Sequence, residues 1–147
     1  MIKLQDTVNA PRGTIEYIIY KDGIAIEHTI DHNLVTNSGR NMLAKLVAGE
    51  STASPIAYIG FGTGLAPEAL TDIQLENQLL IEVDNYVVSG EQVTFFWTLR
   101  ADQGNDLNIS EFGLFSHNGT MITHQVRGKV VGKASDMVIQ GKYILHF

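Results

Sequence analysis

Alternation of apolar and polar positions dominates the second half of the chain. Over residues 137–147, Met137, Ile139, Tyr143, Leu145 and Phe147 fall on one face, and Val138, Gln140, Lys142, Ile144 and His146 on the other. Successive side chains of a strand point to opposite faces of a sheet, so this period of two predicts a half-buried β-strand set in the core. Similar runs predict strands over 14–20, 24–31, 56–62, 79–88, 92–100, 108–116 and 121–127. Lys21-Asp22-Gly23 separates the first two, and Asp-Gly predicts a hairpin because both turn positions accept positive φ. Ser89-Gly90-Glu91 and His117-Asn118-Gly119-Thr120 stand where further hairpin turns are needed, and Asn-Gly predicts the tight primed type. Residues 1–13 read as an irregular arm and 51–55 as a loop.

One long helix interrupts the strands. Thr36 or Asn37 can cap it, Met42, Leu43, Leu46 and Val47 form its apolar stripe, and Gly49 supplies a left-handed stop. The capping-box spacing of Thr71 and Gln74 permits a second short helix over 71–78. Two strands carry bulk on both faces. Phe95, Trp97 and Leu99 share one side of their strand with Phe96 on the other, and Phe112 and Leu114 oppose Ile109 and Phe115. Strands apolar on both sides must be covered twice, by a helix, a second sheet or a neighbouring subunit. The expectation is a mainly β fold, an antiparallel β-sandwich with one packed α-helix, in a single domain spanning 1–147. Phe96, Phe112, Leu114 and Ile144 are the candidate interface residues.

Composition narrows the function. The 147 residues include 18% charged side chains, with formal net charge −6 and no Lys/Arg cluster, which argues against binding a nucleic-acid backbone. So thin a charge complement favours a surface partly covered by a partner. Absence of cysteine excludes disulfides, thiolate metal sites and cysteine nucleophiles. The first residues lack the apolar core of a signal peptide, and no apolar run approaches the ~20 residues of a membrane helix. Synthesis in the cytoplasm, with no membrane partner, is expected.

Candidate chemistry is sparse. Gly60-Phe61-Gly62-Thr63-Gly64 lacks the helix that a dinucleotide fingerprint must open and the Lys-Ser/Thr of a phosphate loop. These glycines are read as letting a strand leave the sheet and turn. Asp102, Asn105, Asp106 and Asn108 are oxygen ligands of the kind calcium uses, but their spacing is that of an ordinary polar loop. Of the five histidines, His28 and His32 sit at a strand end, His146 lies in the last strand, and His117 and His124 flank the Asn-Gly turn. None has the third ligand of a metal site. Glu111 is a candidate partly buried acid without an identified partner, so no general acid/base pair emerges. Ser38, Ser110 and Ser116 have no nucleophile-elbow context. Trp97, Tyr58, Tyr86 and Tyr143 would stack a sugar only if exposed, and core is the better place for Trp97. No enzyme, metal or cofactor is expected.

Three motifs occur in a fixed order. Asn33-Leu34-Val35-Thr36-Asn37-Ser38-Gly39 leads into the helix. Tyr58-Ile59-Gly60-Phe61-Gly62-Thr63-Gly64 precedes Ala66-Pro67 and Thr71. Ile109-Ser110-Glu111-Phe112-Gly113-Leu114-Phe115 precedes Asn118-Gly119. From about Asn33 to Phe147 the chain resembles phage tail-fibre and tail-collar modules, also found in prophages and contractile tails. There a "NLVxNxG" helix start, a "YxxxGTG…AP…T" loop and an "ISExGLF…G" hairpin follow in this order. The resemblance implies a virion structural protein, and it transfers no catalytic residue. Such fibres usually continue into a shaft and tip, so the expectation is a short adaptor of the tail, neck, collar or baseplate. It would associate with itself as a homotrimer and with other tail proteins. The rival expectation is a receptor-binding module of lectin type, reading host glycans through exposed aromatics and the loop from Asp102 to Asn108.

Overall fold

In the computed structural model, which describes residues 11–147, 55% of residues are in strands and 9% in helix, so the chain is mainly β. The strands are β1 (Arg12–Lys21), β2 (Ile24–Val35), β3 (Ile56–Gly62), β4 (Leu79–Glu82), β5 (Asn85–Ser89), β6 (Gln92–Leu99), β7 (Asn108–Ser116), β8 (Thr123–Gly132) and β9 (Met137–His146). Helix α1 (Asn37–Ala48) stands between β2 and β3. All nine strands form one antiparallel sheet in the order β4-β3-β7-β8-β2-β1-β9-β6-β5.

The predicted sandwich is therefore replaced by a single curled sheet. Its two halves join where Leu34 and Val35 of β2 pair with His124 and Thr123 of β8. Beyond that short seam, side chains take over from backbone. Gln125 donates to Asp31 at 2.7 Å, and Arg127 donates to Glu27 at 3.0 Å while its guanidinium lies 5.5 Å from the Tyr17 ring centre. Curling brings the inner faces together around one core. Phe61 stands edge-on to Trp97 and Phe112 at 5.5 and 5.7 Å, and Tyr17 reaches Phe112 at 5.0 Å. Trp97 is fully buried, as its alternation predicts, and Gly141 makes room for it: a Cβ there would lie 2.5 Å from the indole.

Local signals are largely obeyed. Asp22 and Gly23 both have positive φ (51° and 77°), so the first hairpin has the expected primed turn. Thr36 caps α1 by accepting from the amide of Gly39, and Gly49 (φ 67°) ends it. The last strand buries Met137, Ile139, Tyr143 and Leu145 as predicted, whereas Phe147, expected on the same face, stands beyond its end and is 53% exposed.

Other expectations fail for identifiable reasons. The arm predicted to Gly13 lies outside the described residues up to 10, and Arg12 and Gly13 belong to β1. They pair with His146 and Leu145 because β9 offers a hydrogen-bonding edge that far. Residues 79–88 are two strands, since β4 pairs with β3 and β5 with β6. Val47 is 91% exposed: it lies roughly 90° round the helix from the centre of Met42, Leu43 and Leu46. At Asn118-Gly119 only the glycine has positive φ (88°), so the turn is not the primed type. Ser116, Asn118 and Thr120 side chains hold it instead. No helix forms over 71–78, because the amides of Leu75 and Glu76 go to Gln78 and Glu111 side chains.

Strand β7 is buried on both faces by this chain itself. A register shift between Ile109 and Glu111 turns Ile109 into the same core as Phe112 and Leu114. Phe115 lies on the reverse side, packed with Leu75 and Met121. Residues 63–78 thus supply cover that the sequence reading left open to a neighbouring subunit.

Candidate functional site

The acid flagged in β7 lies at the centre of a buried ionic cluster. His124 of β8 donates from Nε2 to Glu111 Oε1 and from Nδ1 to Asp72 Oδ2, each at 2.7 Å. Ionised carboxylates only accept, so a ring bonded to two of them carries both protons and is an imidazolium. The other oxygen of Glu111 accepts from the amides of Gly64 (2.6 Å) and Glu76 (2.8 Å). Side-chain exposure is 6% for His124 and 4% for Glu111, against 27% for Asp72.

Burial disfavours each of these charges, yet their mutual hydrogen bonds prevail. Burial pulls the His124 imidazole down, but Glu111 and Asp72 together hold it above the ordinary histidine range. For Glu111, burial pushes up, while His124 and the two amides hold its carboxyl below the usual carboxylate range. Asp72 is likewise raised by burial and lowered further by the Ala69 amide and His124, with a net fall. Both ring nitrogens are engaged, and the Ser110 hydroxyl is spent on the carbonyl of Gly64 at 2.6 Å. The cluster holds a proton and a loop; it does not present a free base beside a nucleophile.

Close approach, rather than left-handed turning, requires the glycines of the Gly60–Gly64 stretch. A Cβ on Gly62 or Gly64 would stand 2.6 or 2.5 Å from a Glu111 carboxylate oxygen, and one on Gly60 would meet the Phe115 ring at 2.5 Å. The helix start docks beside the same cluster. Thr36 donates its amide to Ile122 O at 3.0 Å, Ser38 donates its hydroxyl to Met121 O at 2.8 Å, and Asn37 donates its amide to Leu70 O at 2.9 Å. Glu68 accepts the Val126 amide at 2.6 Å. Residues 63–78 are thereby pinned to β7, β8 and α1, with Leu65, Leu70 and Ile73 left exposed (65%, 44% and 68%).

The loop from Asp102 to Asn108 has its own internal cation. Lys133 is 2% exposed, and its Nζ donates to Asn105 Oδ1, Ala134 O and Ala101 O at 3.0, 3.1 and 3.4 Å. An ammonium thus satisfies the Asn105 oxygen, one of the four side chains weighed above as calcium ligands. Burial lowers the Lys133 pKa, opposed by Asp102 and Asp136. Lys133→Met should strand those acceptors and destabilise the fold by about 1–3 kcal/mol. Urea denaturation checks this, and an unchanged midpoint would contradict the role.

Among the interface candidates, Phe112 and Leu114 are fully buried in the subunit's own core and are not available to a partner. Phe96 is 37% exposed and Ile144 half-buried, both on the outer face of the β2-β1-β9-β6 region. His117 is exposed 6.2 Å from the Tyr58 ring, not facing His124. His28 bonds Glu16 at 2.7 Å and His146 bonds Thr14 at 3.1 Å, while His32 is exposed. Tyr143 is buried and Tyr86 66% exposed. Among the described residues, no group of three or more histidines and acids could hold a metal, and no helix is long and apolar enough to cross a membrane. Sequence reasoning missed the His124–Asp72 partnership. A signal existed, since a carboxylate in an apolar strand needs a cation or several donors, and His124 lies on the next strand. Comparison with protein-family models, curated proteins and solved structures finds no match to this chain.

Proposed function

We propose that this protein is a structural adaptor of a phage virion, a short tail-fibre-like piece that joins fibre and tail components at the tail, neck, collar or baseplate. The observation that carries the reading is the convergence of the three motifs. The Gly62-Thr63-Gly64 turn and Glu111 meet at one buried ion cluster, and the helix start at Thr36 and Ser38 is anchored on Met121 and Ile122 just ahead of the cluster's His124, although all three are far apart in sequence. That cluster fixes an irregular loop whose tips are apolar. Ordering such a loop with buried charge suits a surface that must meet other proteins in one shape.

A homotrimer forming through the outer sheet face around Phe96 and Ile144 is part of this proposal. Cross-strand rows there mix Phe96, Ile18, Ile30 and Ile144 with Glu16, Gln140 and Lys142. The double variant Phe96→Asp/Ile144→Asp should convert the trimer to smaller species in light scattering without lowering its unfolding midpoint. Label-directed imaging of intact particles should place the protein in the tail or neck; absence from purified particles would sink the virion reading.

A second reading is favoured by one feature of the same face. A shallow hollow of about 290 Å³ lies beside Phe96, with Asp84, Gln140 and Lys142 on its walls. An aromatic flanked by hydrogen-bonding groups is suited to a host glycan. Binding on a glycan array, abolished by Phe96→Ala, would favour this lectin-type role over the adaptor.

A further inference from the structure

Among the described residues, strand β5, with the sequence Asn85-Tyr86-Val87-Val88-Ser89, forms one end of the sheet, and all five of its residues are exposed. Tyr86, Val87 and Val88 are 66%, 50% and 64% exposed. An edge strand presents unpaired backbone donors and acceptors, and natural edges are normally protected by charges, proline or a bulge. The run from Asn85 to Ser89 has no charge and no proline, and its pairing with β6 is unbroken. On the inner side, Tyr86 and Val88 border a groove of about 430 Å³ whose lining is mostly apolar, including Leu43, Leu46, Ile56 and Phe147.

We infer that this edge pairs with β5 of a second copy, antiparallel about a two-fold axis through Val87, so that the sheet continues from one subunit into the next. The partner must be extended backbone, because that is what completes an open edge. It must also be uncharged and apolar at its centre, because its side chains lie along Tyr86, Val88 and the groove. Strand β5 meets both demands itself. Antiparallel pairing about Val87 sets Asn85 against Ser89 of the other copy, Tyr86 against Val88, and Val87 against Val87. Polar meets polar and apolar meets apolar at every position, the self-complementarity that an isologous contact requires. A chain of formal charge −6 also associates most readily where neither copy brings charge. This contact deepens the self-association proposed above without depending on the virion assignment. Combined with a three-fold contact on the outer face, it would build an assembly larger than a trimer.

The test uses the register. Val87 projects away from the groove, so Val87→Lys and Val87→Glu should leave the unfolding midpoint unchanged. Each puts like charges opposite one another across the axis, and each should raise the dissociation constant in sedimentation by about tenfold or more. Mixing the two variants in equal amounts should restore association, because the ammonium introduced in one copy then faces the carboxylate introduced in the other. Val87→Thr, which keeps the branched shape without charge, should behave as the unaltered protein does. Failure of the mixture to recover, association indifferent to either charge, or a protein that stays monomeric at high concentration would overturn the edge contact. An unaltered protein that sediments as a trimer and no larger, unchanged in Val87→Lys and dissociated only in the Phe96/Ile144 variant, would overturn it while leaving the adaptor reading standing.

Discussion

Replacement of Glu111 by leucine is expected to lower folding stability by about 3–5 kcal/mol, the usual result of leaving one partner of a buried ion pair uncompensated. Three donors lose their acceptor at once: His124 Nε2 and the amides of Gly64 and Glu76. Urea denaturation should report the loss, and hydrogen exchange should report release of the Gly64 and Glu76 amides in particular. Glu111→Gln should be milder. Its amide oxygen still accepts from the two backbone groups, and its NH₂ can donate to a neutral His124 whose remaining proton goes to Asp72.

The pH dependence follows from the same cluster. His124 is held above its ordinary value, so its contribution is complete below the unfolded-state pKa and disappears as pH rises through the folded value. Glu111 and Asp72 are held below theirs, so their contribution is complete above the unfolded-state values and disappears as pH falls through the folded ones. Stability should therefore have a plateau between the carboxylate and histidine ranges and decline on both sides. Glu111→Gln should flatten the alkaline decline, because its histidine is already neutral there. A variant retaining the full alkaline decline would show that His124 is not its source.

Gly39→Ala is the second large effect, and its sign opposes helix propensity. In an unconstrained helix, Gly→Ala stabilises by up to about 1 kcal/mol. Here a Cβ would stand 2.1 Å from the Ile122 carbonyl oxygen and 2.8 Å from its carbon. That neighbour is backbone, so the helix must back away by about an ångström to reach ordinary contact. Movement of that size breaks the Thr36 and Ser38 anchors on Ile122 and Met121. Crowding in a packed site costs about 1–3 kcal/mol, and each lost hydrogen bond adds about 1 kcal/mol. A net destabilisation of about 3 kcal/mol is expected by urea denaturation. A stabilised variant would mean that the helix start is not locked against the β7–β8 connection.

How much was legible beforehand depended on the range of the contacts involved. The Asp22-Gly23 turn, the Thr36 cap, the Gly49 stop and the buried face of β9 are decided within a few residues, and each stands where the pattern put it. Residues 71–78 misled because Thr71 and Gln74 have a helical spacing while the nearby amides are claimed by Gln78 and by Glu111, 35 positions beyond Glu76. Residues 79–88 misled because a continuous apolar run does not say which strand each half will join. The candidate site was half visible: Glu111 stood out as an acid among bulk, but His124 and Asp72 became its partners only across a strand pairing and a long loop.

By itself, then, the sequence determined most of the strands, the long helix, most of the turns and the apolar face of most elements, because these follow from side-chain alternation and backbone preference within short windows. Tertiary structure decided that the strands join into one curled sheet, that β7 is covered by residues 63–78 rather than by a neighbour, and that β5 is an open edge among the described residues. It also decided the meeting of His124, Asp72 and Glu111. Those outcomes depend on which distant backbones and charges satisfy one another once water is excluded, a requirement that no local window contains.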